Sequence, residues 1–282
     1  MSTAEVIAIV LAAIDLGFRL IALVIVPRNR RPQTSMAWLL AIFFIPFVAF
    51  FAFLAFGSHR LSANRRRKHD TVNAILQADQ DTLPEGVRVD SGELRSLSGA
   101  SAGTIRAIAP LVKLNENLGY MPMLRGNQVS LETDYRQSFD AMIRDIDQAK
   151  HTVHVLFYIM AVDEWTEDFY LALERAQSRG VDVRVLFDQV ATARIPGSRK
   201  VGQRLRAAGI DYRAMLPFQP WRGVYQRPDL RNHRKILVVD SAVAWTGSQN
   251  IIEPGYHRRG AKGFQWVDLM ARFEGPVVQS LE

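Results

Sequence analysis

Residues 232–250 read NHRKILVVDSAVAWTGSQN, and this stretch decides the fold of the chain. The run Ile236–Val239 contains only branched apolar side chains, which is typical of a short strand buried in a sheet. Asp240 follows this run directly, and residues 242–245 predict a second strand. The stretch therefore predicts two short strands, with polar residues before the first and after the second.

The polar residues that flank these strands carry a pattern suited to phosphate chemistry. His233 and Lys235 are two residues apart, and alternate residues of a strand share a face, so both side chains are expected to act on one phosphate group. A neutral imidazole is a competent nucleophile toward phosphorus, and an ammonium group offsets charge on the non-bridging oxygens. The turn at residues 246–250 supplies a hydroxyl and an amide for a phosphate oxygen.

The C-terminal two thirds of the chain alternates between helix and strand patterns. Apolar residues at helical spacing alternate with runs rich in β-branched and aromatic residues. The predicted helices are 105–118, 135–150, 169–178 and 200–208, and the predicted strands are 128–131, 152–160, 181–187 and 210–213. This alternation predicts an α/β domain with a largely parallel or mixed sheet.

Two apolar segments, residues 6–26 and 36–56, stand near the N-terminus. Each is long enough to cross a bilayer, because about 20 helical residues span the hydrocarbon core. The short loop between them is rich in proline and arginine, so the segments predict an antiparallel transmembrane hairpin. Asp15 and Arg19 lie four residues apart on one helical face and are expected to pair.

The basic charge is concentrated beside these segments. Residues 1–70 carry a net charge of +6, and the remaining residues add only +1 to the total of +7. A nucleic-acid-binding protein would carry its excess on the folded domain, so the distribution favours a membrane and no nucleic acid. More basic residues follow the second segment than lie in the loop, which predicts a cytoplasmic catalytic domain.

The composition also excludes several kinds of site. The chain contains no cysteine, which excludes disulfides, thiolate zinc sites and cysteine nucleophiles. No phosphate-binding glycine loop, His-Glu-x-x-His helix or dinucleotide fingerprint occurs. We therefore expect neither a metal nor a cofactor.

The order His-x-Lys-x4-Asp followed by Gly-Ser-x-Asn resembles the signature of the phospholipase D superfamily. His233, Lys235, Asp240, Ser248 and Asn250 occupy its positions in this chain. The two N-terminal membrane segments add a more specific resemblance, to the bacterial cardiolipin synthases. The resemblance implies an N-terminal membrane hairpin followed by a phospholipase-D-like α/β half-domain, in a multi-pass protein of the bacterial cell membrane.

The resemblance also implies a role for each residue of the motif. His233 is the expected nucleophile, Lys235 and Asn250 are expected to bind phosphate, and Ser248 is expected to assist them. Asp240 belongs to the catalytic motif, although its part is expected to be structural rather than chemical.

Outside the motif, Asp268 resembles the acidic residue that orients the histidine through its other ring nitrogen. The chain also departs from the family. Relatives often have glycine where this chain has Ser241 and Ser248, which leaves the loop shape and the acceptor alcohol undetermined.

The activity implied is transfer of a phosphatidyl group from one phosphatidylglycerol molecule to another through a phosphohistidine, giving cardiolipin and glycerol. One alternative is hydrolysis of the same intermediate, as in a phospholipase D or a membrane-tethered nuclease. Another is a non-catalytic half-domain that binds a membrane or a partner.

The expected organisation has three parts. Residues 1–56 form the transmembrane hairpin, residues 57–104 a basic and polar tether, and residues 105–282 the first phospholipase-D-like domain. Sites of this superfamily use two facing motifs, and this chain contains one. We therefore expect a truncated chain, with the second motif supplied by the rest of a full-length chain or by a homodimer partner.

Overall fold

The computed structural model describes residues 2–28, 32–57, 63–80, 86–89, 93, 101–119, 121–219, 222, 231–256 and 265–282. The chain divides into two compact units, Met1–Ile75 and Leu76–Glu282. The described part of the first unit is helical, and the second unit contains a β-sheet.

The first helix, α1 (Thr3–Ile25), is long and apolar enough to cross a membrane. It begins with a capping box, in which the Ser2 hydroxyl accepts from the Glu5 N–H and the Glu5 carboxylate accepts from the Ser2 N–H. Asp15 and Arg19 form the predicted ion pair, at 2.8 Å. The pair lets this helix carry two charges within an apolar segment.

The second apolar segment differs from the prediction of one helix over 36–56. The structure divides it into α2 (Pro32–Phe44) and α3 (Pro46–Phe56), with Ile45 between them at φ −134° and ψ 69°. Pro46 has no N–H to donate, and its ring disfavours helical backbone at the preceding residue. Among the helices described, α1 alone meets the length and composition of a membrane span, so the two-helix hairpin is confirmed in part.

These three helices pack through a small apolar cluster. Its buried members lie in or directly after these helices and are Ala22, Val26, Ile42, Ala49 and Phe53. Most other apolar side chains of α1 are exposed. Exposed apolar side chains around a helix are expected where the surrounding solvent is lipid.

A fourth helix, α4 (Ala63–Gln80), lies within the predicted tether of 57–104. Part of the predicted tether is therefore helical. Residues 81–85 and 94–100 of the tether lie outside the described residues, so the tether stays a prediction.

The second unit is built around a seven-stranded mixed sheet. The strands are β1 (Gln128–Glu132), β2 (Thr152–Phe157), β3 (Asp182–Asp188), β4 (Asp211–Met215), β5 (Ile236–Val239), β6 (Val243–Gly247) and β7 (Met270–Glu274). Their order in the sheet is β1-β7-β6-β5-β2-β3-β4. The pairs β2–β3 and β3–β4 are parallel, and the other pairs are antiparallel. The predicted α/β class with a mixed sheet is confirmed.

The described helices that lie wholly within this unit are α5 (Ala102–Gly119), α6 (Tyr135–Gln148), α7 (Glu167–Ser178), α8 (Gln189–Ala193) and α9 (Ser198–Ala207). Of these, α6 and α7 pack against one face of the sheet. In β2, Val153, Val155 and Phe157 alternate onto one face and meet a core shared with the apolar sides of α6 and α7. A smaller cluster on the other side joins Val238 to a 3₁₀ turn, Pro276–Ser280.

One buried ion pair joins helix α6 to the antiparallel half of the sheet. The Asp145 carboxylate accepts hydrogen bonds from Arg272 Nε at 2.8 Å and Arg272 Nη2 at 2.9 Å. It also accepts from Trp245 Nε1 at 2.7 Å. Three strong donors therefore converge on a carboxylate whose side chain is only 9% exposed.

Replacing Asp145 by alanine is expected to lower the free energy of unfolding by about 3 kcal/mol, because Trp245 loses its partner in the interior and Arg272 keeps only its ion pair with Glu274. Urea unfolding of the full chain in detergent, followed by tryptophan fluorescence, measures the loss. Asp147→Ala is the matched control, since Asp147 on the same helix pairs with the exposed Arg175 and is expected to contribute less than about 1 kcal/mol. Equal losses for the two variants would show that burial does not strengthen the contribution of Asp145.

Candidate active site

The pairing of β5 with β2 brings the His-x-Lys motif to the end of β2. Ile236 lies opposite Leu156 in this antiparallel register, so the residues before Ile236 run alongside the residues after Leu156. His233 thereby reaches Tyr158, and the two rings stack with centroids 3.9 Å apart and planes 20° apart. The His233 side chain remains exposed on its other side.

Lys235 is buried beneath this pair of rings, at 8% exposure. Its ammonium group donates to the backbone carbonyl of His233 at 2.7 Å and lies 5.5 Å from the centroid of the Tyr158 ring. Burial lowers the pKa of Lys235, and the charge of Asp268 opposes that change. A positive charge held in a desolvated position attracts an anion more strongly than one in water.

Asn250 reaches the same end of β2 through backbone pairing. Ile251 forms a parallel bridge with Met160, and the Asn250 Oδ1 accepts from the Ile159 N–H at 3.0 Å. The side chain of Asn250 also hydrogen-bonds to the Tyr256 phenol. Burial raises the pKa of Tyr256, Asp268 raises it further, and the bond from Asn250 opposes both, so the phenol stays protonated at neutral pH.

Asp268 lies among the same side chains. Its charge opposes the lowering of the Lys235 pKa and adds to the effect of burial in raising the pKa values of Tyr135 and Tyr256. Within the described part of the chain, no hydrogen bond joins the Asp268 carboxylate to the His233 ring. The orienting role implied by the family resemblance therefore stays a prediction.

Ser248 bonds to the segment that leads into β7. Its N–H donates to the Leu269 carbonyl at 3.0 Å, and its Oγ accepts from the Leu269 N–H at 3.1 Å. Gly247 permits this approach, because a Cβ there would lie 2.1 Å from the Leu269 oxygen. The Ser248 hydroxyl keeps its own proton for donation, so its assistance to phosphate binding stays a prediction.

Asp240 lies at the opposite end of β5 from His233 and ties two loops together. Its carboxylate accepts from three successive backbone N–H groups, those of residues 150–152, at 2.7–2.8 Å. Asp240 and Ser241 have φ angles of 52° and 48°, in the left-handed region that favours glycine. This geometry supports the structural part expected for Asp240.

The three backbone donors lower the pKa of Asp240, although its burial alone would raise it. A carboxyl group whose folded-state pKa is lowered stabilises the fold above its unfolded pKa of about 3.9 and loses that contribution as the pH falls. Asp240→Asn is therefore expected to lower the free energy of unfolding at pH 7 by about 1–3 kcal/mol.

The loss is expected to shrink as the pH falls below about 4, because the wild-type carboxylate is then itself protonated. Unfolding of both proteins between pH 7 and pH 3 measures this convergence. Asp140→Asn, which removes an exposed carboxylate from α6, serves as the control. A loss that stayed constant over this range would show that the charge of Asp240 is not what stabilises the loops.

The structure brings together four of the six residues singled out in the sequence, namely His233, Lys235, Asn250 and Asp268. Asp240 lies away from these four, at the other end of β5. Ser248 is hydrogen-bonded to the backbone of Leu269, just before β7. Sequence reasoning missed Tyr158 and Tyr256 as members of the site. Tyr158 had a signal, since it follows β2 at the strand end where ligands bind in such sheets, whereas Tyr256 is identified only by its tertiary contact with Asn250.

Comparisons with known protein families agree with this geometry. Residues 142–260 match the family described as "Cardiolipin synthase, PLD-like domain", and residues 7–58 match "Phospholipase D-nuclease N-terminal". These matches confirm the resemblance predicted from the motif.

The chain is also similar to curated cardiolipin synthases. It is 31% identical to cardiolipin synthase A of Pectobacterium atrosepticum over 261 residues, covering 93% of this chain and 51% of that protein. It is 32% identical to cardiolipin synthase A of Yersinia pseudotuberculosis over 262 residues, with the same coverage. The chain thus spans about half the length of these relatives.

Solved structures with a similar arrangement include the phospholipase D family member Nuc from Salmonella typhimurium. It has a TM-score of 0.42 and 19% identity, and the match covers 55% of this chain and 89% of that one. A phosphatidylserine synthase from Haemophilus influenzae has a TM-score of 0.37 and 10% identity, and the match covers 66% of this chain and 44% of that one.

Proposed function

We propose that this chain carries the nucleophilic half of a cardiolipin synthase-type phosphatidyltransferase, acting on phosphatidylglycerol. The observation that supports this most is the exposed His233 ring, which stacks on Tyr158, together with the buried ammonium of Lys235, which lies 5.5 Å from the centroid of the same Tyr158 ring. An imidazole with one open side can attack phosphorus. The similarity to cardiolipin synthases supports the choice of a phospholipid substrate.

In the first step a ring nitrogen of His233 attacks the phosphorus of one phosphatidylglycerol molecule. A P–N bond forms, the P–O bond to the headgroup glycerol breaks, and the departing glycerol oxygen takes up a proton. Lys235 and the Asn250 amide stabilise the charge on the non-bridging oxygens. The face of Tyr158 stabilises the positive charge that the imidazole ring acquires.

In the second step a hydroxyl group of another phosphatidylglycerol molecule attacks the phosphohistidine. The hydroxyl loses its proton, the P–N bond breaks, and cardiolipin leaves with His233 restored. The free energy of the original phosphodiester is retained in the intermediate, so the exchange needs no nucleotide. Attack by water on the same intermediate would instead give phosphatidic acid, the hydrolase alternative.

The proton for the departing glycerol oxygen is best supplied by a second imidazole facing His233. We propose that a second His-x-Lys-x4-Asp motif, in a longer chain or in a second copy of this one, provides it. If so, attack by His233 should not require the second motif when the leaving group departs without taking up a proton.

A phosphatidyl ester of p-nitrophenol tests the first step, since its phenolate departs without protonation. The full chain in mixed micelles is expected to release up to one equivalent of phenolate in a burst and to retain a phosphatidyl group. The His233→Ala variant should give no burst. Lys235→Met is expected to slow the burst by about 100-fold, because it removes one strong donor to the phosphate.

The adduct distinguishes the possible nucleophiles, because a phosphohistidine is labile in acid and stable in base, whereas a serine or tyrosine ester is stable in acid. Arg234→Met serves as the control, since it removes a neighbouring exposed charge. A full burst from the His233→Ala variant would rule out the mechanism. Release of phosphatidic acid without transfer to added phosphatidylglycerol would favour the hydrolase alternative.

We also propose that the chain is anchored in the bacterial cell membrane with its sheet domain on the cytoplasmic side. The lack of cysteine allows single cysteines to report topology. In the proposed hairpin, Asn29→Cys is expected to react with an impermeant maleimide from outside the cell, and Ser178→Cys, at the end of α7, only after lysis. Labelling of both positions from the same side would show that α1 is the sole membrane span.

A further inference from the structure

A cavity of about 270 Å³ adjoins the candidate active site. Tyr256 connects the two, because its ring lines the cavity and its hydroxyl hydrogen-bonds to Asn250. The volume lies just below the range of about 300–1,000 Å³ that is typical of sites for drug-sized ligands. The cavity therefore suits a small molecule or one end of a larger one.

The lining of this cavity carries charges of both signs. Lys200 on α9 and Glu253 on the loop after β6 both line it and are exposed. Asp163 fixes the position of Glu253, because its Oδ2 accepts from the Glu253 N–H at 3.0 Å and its Oδ1 from the Thr166 N–H at 3.1 Å. The carboxylate of Asp163 thus holds the loop, and that of Glu253 is left at the cavity.

Part of the cavity lining is apolar. Ile195 and Ile252 line it, within a cluster that also includes Tyr256. Gly197 lies against Val162 with φ at 80°, and a Cβ there would be 2.7 Å from the Val162 carbonyl oxygen. The isoleucines therefore offer carbon surface, and the charged residues offer one ammonium and two carboxylates, of which that of Asp163 is already bonded to backbone N–H groups.

We infer that this cavity holds the polyol headgroup of a phospholipid whose phosphate lies at His233 and Asn250. The inference rests on the proposed function and specifies where its headgroup binds. A glycerol unit presents hydroxyl hydrogens to Glu253, hydroxyl oxygens to Lys200 and Tyr256, and C–H groups to the two isoleucines. Its small size matches the cavity.

A choline headgroup fits these groups less well. Its quaternary ammonium has neither donors nor acceptors, so Lys200 and Glu253 would lose water without gaining a hydrogen bond. Sites built to hydrogen-bond a hydroxyl discriminate strongly against ligands that lack it. The cavity therefore selects polyol headgroups by their hydrogen bonds.

Titration calorimetry of the full chain in detergent tests this with three soluble probes: glycerophosphoglycerol, glycerophosphocholine and inorganic phosphate. The wild-type chain is expected to bind glycerophosphoglycerol about tenfold more tightly than glycerophosphocholine. Glu253→Ala and Lys200→Ala should each remove most of that preference and leave the affinity for inorganic phosphate unchanged. Glu164→Ala and Arg199→Ala make the same charge changes at neighbouring exposed positions and should retain the preference.

Asn250→Ala tests the phosphate site separately from the headgroup cavity, because it should weaken the binding of all three probes. The headgroup inference is overturned if Glu253→Ala and Lys200→Ala keep the wild-type preference while Asn250→Ala loses affinity for inorganic phosphate. The phosphate site would still stand. If the wild-type chain binds none of the probes, the proposed phosphate site fails and the inference fails with it. Circular dichroism of each variant confirms that the fold is retained.

Discussion

The antiparallel register between β2 and β5 is the constraint on which the candidate site depends. Pairing Leu156 with Ile236 places the residues before β5 beside those after β2, so His233 meets Tyr158. A shift by one residue would turn His233 and Lys235 to the other face of the sheet. Asp240 fixes this register from the far end of β5 through its three bonds to backbone N–H groups.

The same register creates the electrostatics of the site. Lys235 is buried because it follows His233 into the sheet, and burial lowers its pKa while Asp268 restores part of the stability of its charged form. A phosphate that enters from the exposed side of His233 brings a second negative charge to this ammonium. In the protein without ligand, Asp268 offsets only part of the cost of burying the Lys235 charge. A bound anion would offset more of that cost.

The fold and the main site residues could be predicted from the sequence because they follow from local patterns. The buried run Ile236–Val239 identified the central strand, and the two-residue spacing of His233 and Lys235 identified the shared face. Two features were not predictable in this way. Pro46 was counted within one long apolar segment, although its backbone effect divides the helix, and Tyr256 reaches Asn250 only through the tertiary arrangement of two loops.

The described residues are better suited to holding and attacking phosphate than to protonating a leaving alcohol. Tyr256 has a raised pKa, so its phenol donates hydrogen bonds but gives up its proton reluctantly. Lys235 already donates to the carbonyl of His233, and in the proposed mechanism it stabilises the charge on the phosphate oxygens. His233 must be unprotonated to attack. An efficient acid for the glycerol oxygen is therefore best sought in a group facing His233 from a second motif, the arrangement in which one imidazole attacks while the other protonates.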